Sequence, residues 1–215
     1  MGRSWSHWSI LIKDIELSPA EEMESLLIQI RGCTHCANAL PLGPRPVLRA
    51  STTARLLIVG QAPGTRVHES GIPWNDASGK RLRQWLDIDE ATFYDERRVA
   101  IMPMGFCYPG KGKSGDLPPR SECAPLWHSS VRALMPDIRL TLLIGQYAQQ
   151  GYLSDKQTLT ARVKSWRDYQ PAFWPLPHPS PRNGIWLQSN LWFLQKCYPR
   201  YKKRYESCFP SSERR

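Results

Sequence analysis

Four short apolar runs constrain this chain more than any other feature: RLLIVG (55–60), RVAIMPMG (98–105), RLTLLIG (139–145) and FWPLP (173–177). The first three have the length and β-branching of strands buried on both faces, and FWPLP, without β-branched residues, is read as a fourth from its apolar run alone. Helical patterns separate them. Leu82, Trp85 and Leu86 share a face after Ser78-Gly79, Trp127, Val131 and Leu134 do so within 121–135, and Leu159, Val163 and Trp166 follow. Ahead of them, PAEEMESLLIQIRG reads as an amphipathic helix with Pro19 at its start, acids in its first turn and Gly32 at its end. The proline-rich ALPLGPRPVLRA that follows reads as an extended connector. Strands alternating with helices predict an α/β fold with a largely parallel sheet covered on both faces. Ligands of such sheets sit beyond the carboxyl ends of the strands. The loops after Val59, Met104, Ile144 and Leu176 are therefore expected to carry the chemistry.

At 215 residues the chain suits one domain. The expected division is a poorly specified leader over 1–18, a domain over 19–205 and a basic tail over 206–215. MGRSWSHWSILIKD lacks the features of a secretory signal, and no apolar run approaches the ~18 residues of a membrane span. A cytoplasmic, nucleoid-associated monomer with no membrane partner is expected. Lys plus Arg number 29 against 19 Asp plus Glu, a formal charge of +10. That excess suits a polyanionic partner, or simply a solvated basic surface. Nine tryptophans and many arginines suit a surface that meets both phosphates and bases.

Two of the six cysteines, Cys197 and Cys208, read as incidental. The other four form a pattern: CTHC at 33–36, then Cys107 and Cys123. In a reducing compartment a Cys-x-x-Cys pair points to metal, cluster or redox chemistry, and otherwise to small buried hydrophobes. A redox pair fits poorly ahead of the first strand. Zinc usually repeats Cys-x-x-Cys, whereas four thiolates from separate segments can surround a cubane. His35 reads as a solvent-facing neighbour.

The loop after the first strand, GQAPGTRVHESGIPWNDASG, lacks the Lys-Ser or Lys-Thr pair of a phosphate loop. With a helix expected only near Gly79, it also fails as a dinucleotide fingerprint. A third reading is a backbone that approaches a planar ring closely, with Gly60 and Gly64 bare, Pro63 fixing the turn and Trp74 supplying a stacking face. The plain alternative packs Trp74 into the core.

GQAPG, GIPW, SG, the spaced cysteines and HPSPRN (178–183), in that order, resemble the uracil-DNA glycosylase superfamily, and its iron–sulfur families 4 and 5 in particular. The resemblance spans roughly residues 28–195. It implies a three-layer α/β/α sandwich around a four-stranded parallel sheet. It also implies a monofunctional enzyme of base-excision repair that everts uracil or a related deaminated base from DNA and hydrolyses its N-glycosidic bond.

By this resemblance Gly60, Gln61, Ala62 and Gly64 approach the base, with backbone amides near Gln61 and Ala62 offered to its carbonyls. Trp74 takes the stacking position, beside Asn75. His178 is the catalytic histidine that stabilises the departing base. Ser180 contacts a phosphate, Arg182 enters the minor groove and Asn183 fixes the loop. Cys33, Cys36, Cys107 and Cys123 become ligands of a 4Fe–4S cluster that ties down the loop YPGKGKSGDLPPRSE. That loop's Lys111, Lys113 and Arg120 either meet the DNA backbone or stay solvated.

Two departures from the family pattern matter. The water-activating acid of some families is Ala62 here, which leaves Asp76 as the catalytic carboxylate or as no more than a helix cap. Glu69 and His68 are weaker candidates. No asparagine reads the uracil edge in IMPMGFC, so base preference stays open among uracil, hypoxanthine and xanthine. The rival reading is a non-catalytic iron–sulfur protein that binds DNA or lesions. A covalent trap for abasic sites would need a basic insertion that this chain lacks.

Overall fold

The computed structural model describes residues 17–113, 115–197, 200, 203, 204 and 207–209. The apolar runs form β1 (Leu56–Val59), β2 (Val99–Ile101), β3 (Leu140–Ile144) and β4 (Phe173–Leu176). All pairs are parallel, in the order β2-β1-β3-β4. Ile58 aligns with Ile101 on one side and Leu142 on the other, and Leu142 with Trp174.

Every residue of β1, β2 and β3 is buried, as a sheet covered on both faces requires. Successive side chains alternate between the faces. Leu56 and Ile58 join Leu82, Phe93 and Trp174 in one core layer. Leu57 and Val59 join Met23, Ile30 and Val131 in the other. This is the three-layer sandwich the resemblance implied.

The helices are α1 (Pro19–Arg31), α2 (Thr65–Ser70), α3 (Ala77–Leu86), α4 (Glu90–Tyr94), α5 (Cys123–Ala133), α6 (Gly145–Tyr152), α7 (Leu159–Lys164) and α8 (Gly184–Ser189). Ser18 and Glu21 close a capping box at the start of α1. The pattern over 159–166 divides at Ser165, where α7 gives way to a 3-10 turn over Trp166–Tyr169.

Two expectations need correction. A helix does open directly after GQAPG: α2 starts at Thr65 with Gly64 as its extended N-cap. It ends at Gly71 after six residues, too short to show an apolar period. The loop after β3 is not an open connection but passes straight into α6, whose Gln149 is buried. Gln149 Nε2 donates to the carbonyls of Leu143 and Leu176, pinning the ends of β3 and β4 together.

Of the expected leader, residues 1–16 lie outside the described residues. In the segment read as a tail, Cys208 and Phe209 are buried in the Leu56 core layer. Among the described residues no helix is long and apolar enough to cross a membrane.

Candidate functional site

One cleft opens beyond the carboxyl ends of the strands, beside the point where the chain order reverses between β1 and β3. Gly60 reaches it from the end of β1, Pro103 from beyond β2 and His178 from beyond β4. Trp74 completes the wall. Its indole lies against the imidazole, with ring centroids 5.4 Å apart and planes 28° apart. A Cβ at Gly60 would stand 3.0 Å from the indole edge, so only a bare backbone lets the ring lie this close.

Trp74 adopts φ 57°, a left-handed backbone that a bulky residue rarely takes. Three contacts hold it there. Tyr94 Oη donates to the Pro73 carbonyl at 3.0 Å. Gly79, in the first turn of α3, packs directly on the Trp74 carbonyl and leaves no room for a Cβ. His178 covers the ring.

The strand extensions shape the first loop. Met104 and Gly105 amides donate to the carbonyls of Gly60 and Gln61, at 2.9 and 3.0 Å. The Gln61 and Ala62 amides donate to no protein group among the described residues. Gln61 Nε2 is committed elsewhere, to the carbonyl of Leu117 at 2.9 Å.

His178 is half-buried, and its loop is tied on three sides. The Ser180 amide donates to its Nδ1 at 3.2 Å, and Asn183 Nδ2 donates to its carbonyl at 2.8 Å. Arg81 Nη1 donates to the Ser180 carbonyl. Burial lowers the imidazole pKa, and the nearby charge of Asp76 opposes that shift. With Nδ1 accepting, the neutral ring carries its proton on Nε2, a donor at the cleft.

Asp76 takes the capping place expected of it. Its Oδ1 accepts from the Gly79 amide at 2.8 Å, capping α3, and the residue also lines the cleft beside His178. Ser180 Oγ accepts from the Arg182 amide, and exposed Arg182 lies at the cleft rim next to Gly115. Asn75 is exposed and does not line the cleft. His68 is buried on α2 and Glu69 exposed, both away from the lining.

Asp116 was not foreseen. The segment between Cys107 and Cys123 folds back on itself, with Lys111 and Asp116 paired across a backbone bridge, and its tip enters the cleft wall. Only that fold-back brings the carboxylate to the site, so no spacing in the sequence announces it. Lys111 and Lys113 stay exposed, whereas Arg120 pairs with Glu122 at 2.6 Å.

A second cavity gathers Cys33, Cys36, Cys107 and Cys123 from three segments, against Leu40, Phe106 and Trp127. Exposed His35 stands at its edge. Burial pushes the Cys107 thiol up to about 11 and the Cys123 thiol up to about 12. The backbone amide of Phe106 donates to the Cys123 sulfur at 3.3 Å, partly opposing the shift there. Among the described residues no three Cys, His, Asp or Glu side chains form a site for a single metal ion.

The model of the family described as the uracil DNA glycosylase superfamily matches residues 49–202, a stretch that includes Cys107 and Cys123 but not Cys33 and Cys36.

Proposed function

We propose, for a chain that belongs to the uracil-DNA glycosylase superfamily, that it is a monofunctional glycosylase hydrolysing the bond between deoxyribose and uracil, or another deaminated base, in DNA. One observation carries the reading: Gly60, Trp74 and His178 meet in a single cleft at the carboxyl ends of the strands. A bare backbone, a flat aromatic and a donor are what an everted base needs for approach, stacking and departure.

The free amides of Gln61 and Ala62 receive the carbonyls of the base, and Trp74 stacks on its face. His178 meets the negative charge that develops on the departing base with its Nε2–H. A neutral imidazole can do this, because its Nδ1 accepts from the Ser180 amide while its Nε2–H remains free to donate. Asp76, with one oxygen on the Gly79 amide, turns its charge toward the sugar and stabilises an oxocarbenium-like transition state. Arg182 fills the vacated stack and Ser180 holds a flanking phosphate.

The four cysteines fit a 4Fe–4S cluster of the family 4 and 5 type. A cubane takes one thiolate per iron and so spreads its ligands more widely than a single ion does. The cavity is apolar, and the Cys123 sulfur already accepts the Phe106 backbone amide, as bound thiolates do. When bound, the cluster supplies a covalent tie. Its consequence for this chain is to fix the 107–123 segment, whose Leu117 carbonyl holds Gln61.

The test is a labelled duplex carrying one uracil, hypoxanthine or xanthine, treated with the purified protein, then alkali, then run on a gel. Strand breaks at one or more of these bases are expected, and none without alkali. No break at any of them sinks the enzymatic reading in favour of a DNA-binding module.

Asp76→Asn separates charge from capping, because asparagine caps a helix as well as aspartate. Cleavage is expected to fall about 10²-fold or more with folding stability unchanged. Equal rates would leave Asp76 a cap alone.

A further inference from the structure

Two carboxylates face the cleft, and their surroundings differ. Asp76 is half-buried beside His178 with one oxygen committed to the α3 amide. Asp116 is exposed, and among the described residues its side chain makes no hydrogen bond or ion pair. It reaches the cleft on the fold-back that Gln61 Nε2 clamps through the Leu117 carbonyl at 2.9 Å. Its Oδ2 stands 3.3 Å from where a Cβ on Gly64 would be, so the second glycine of GQAPG leaves the room this carboxylate uses.

A negative group on a wall that faces phosphates costs DNA affinity. On a chain of charge +10, a part in the reaction accounts for keeping a carboxylate there.

We propose that Asp116 is a further catalytic residue of this site, the one that orients and deprotonates the attacking water, leaving Asp76 to stabilise the sugar. The inference rests on the glycosylase reading above and deepens it. Hydrolysis of glycosidic bonds commonly divides work between two carboxylates in unlike environments. Here the bond from the anomeric carbon to the base nitrogen breaks, and its electron pair leaves with the base toward the His178 donor. The water oxygen forms the new bond to that carbon, and its proton passes to the Asp116 carboxylate. Solvent later takes that proton and protonates the released base.

The experiment uses full-length protein and the damaged base that the wild type cleaves. Single-turnover rates at saturating enzyme are measured for wild type, Asp116→Asn and Asp116→Glu. Affinity is measured beside them on the same duplex carrying an uncleavable 2′-fluoro nucleotide. We expect Asp116→Asn to lose about 10²-fold or more in rate, with affinity unchanged or tighter, and Asp116→Glu to recover part of the rate.

An Asn variant within about threefold of wild type overturns the proposal. So does a rate lost only together with affinity and not recovered by Glu, which marks a structural loop. A wild type that cleaves no base fails earlier, before any variant is compared, and takes the glycosylase reading down with it.

Discussion

Trp74 shows how much of the site depends on one residue's backbone. Its left-handed φ survives because Tyr94 holds the preceding carbonyl and Gly79 lets α3 pack on its own. Gly79→Ala forces a methyl group into the Trp74 carbonyl. It is expected to destabilise the fold by about 1–3 kcal/mol and to cost far more in cleavage, measured by denaturant midpoint and gel assay on the same preparation. His178 sets the pH behaviour. Its pKa is lowered by burial, with the Asp76 charge opposing the shift, so the ring takes up its second proton at a lower pH than an ordinary imidazole does. The acid limb of the single-turnover rate is therefore expected below the ordinary pKa of about 6.5. Asp76→Asn removes the opposing charge and should move that limb lower still. A limb at or above the ordinary value would mean that the cation is the working form. His178 and Trp74 were legible in HPSPRN and GIPW because their motifs are contiguous. Asp76 was legible as a helix cap, which its bond to the Gly79 amide makes it, and the same residue lines the cleft. Asp116 was not legible, because its place depends on a tertiary fold-back.

At the scale of elements, α5 carries a buried titratable group that links α6 to the chain beyond β2. His128 bonds to Tyr152 Oη at 2.9 Å and to the Pro103 carbonyl at 3.1 Å, and Pro103 forms part of the cleft. Burial pushes its pKa down to about 4. The unfolded chain takes up the proton first as the pH falls, so this contribution is complete above about 6.5 and is lost on the way down to about 4. The loss approaches about 3 kcal/mol for this group alone. Denaturant unfolding at pH 7 and pH 4.5 should show that drop in wild type and a smaller one in His128→Gln. The strands were readable because a sheet buried on both faces leaves unbroken apolar runs, and the long amphipathic helices because their periods complete several turns. α2, α4 and α8 have six residues or fewer, and no period emerges from so few. α6 is rich in glutamine and polar along most of its length, so its sequence gave no apolar stripe to read.

Over the whole molecule, the sheet order places the ends of β1 and β4 around one cleft, and the cysteine segment closes a wall of it. If the cysteines hold a cluster, Cys107→Ser should bleach the brown absorbance. It should also slow cleavage through the loosened Gln61–Leu117 clamp; an unchanged spectrum removes Cys107 from the ligand set. The basic excess predicts DNA affinity that falls steeply with salt. Exposed Lys111 stands beside the cleft wall, and Lys111→Ala should lower the slope of log affinity against log salt by about one if it meets a phosphate. An unchanged slope makes it a solvated charge. The composition announced the sign of the charge, but its placement around the cleft depends on which loops fold together. The central claim is that the Gly60, Trp74 and His178 cleft receives an everted base. The most direct measurement is the fluorescence of 2-aminopurine placed beside an uncleavable 2′-fluoro-deoxyuridine in duplex DNA. Wild type should raise the emission as the neighbour leaves the stack. Gly60→Val, which fills the approach with a side chain, should bind the duplex with similar affinity and raise it little. Equal emission from both proteins, or no rise with wild type at saturation, would contradict the account.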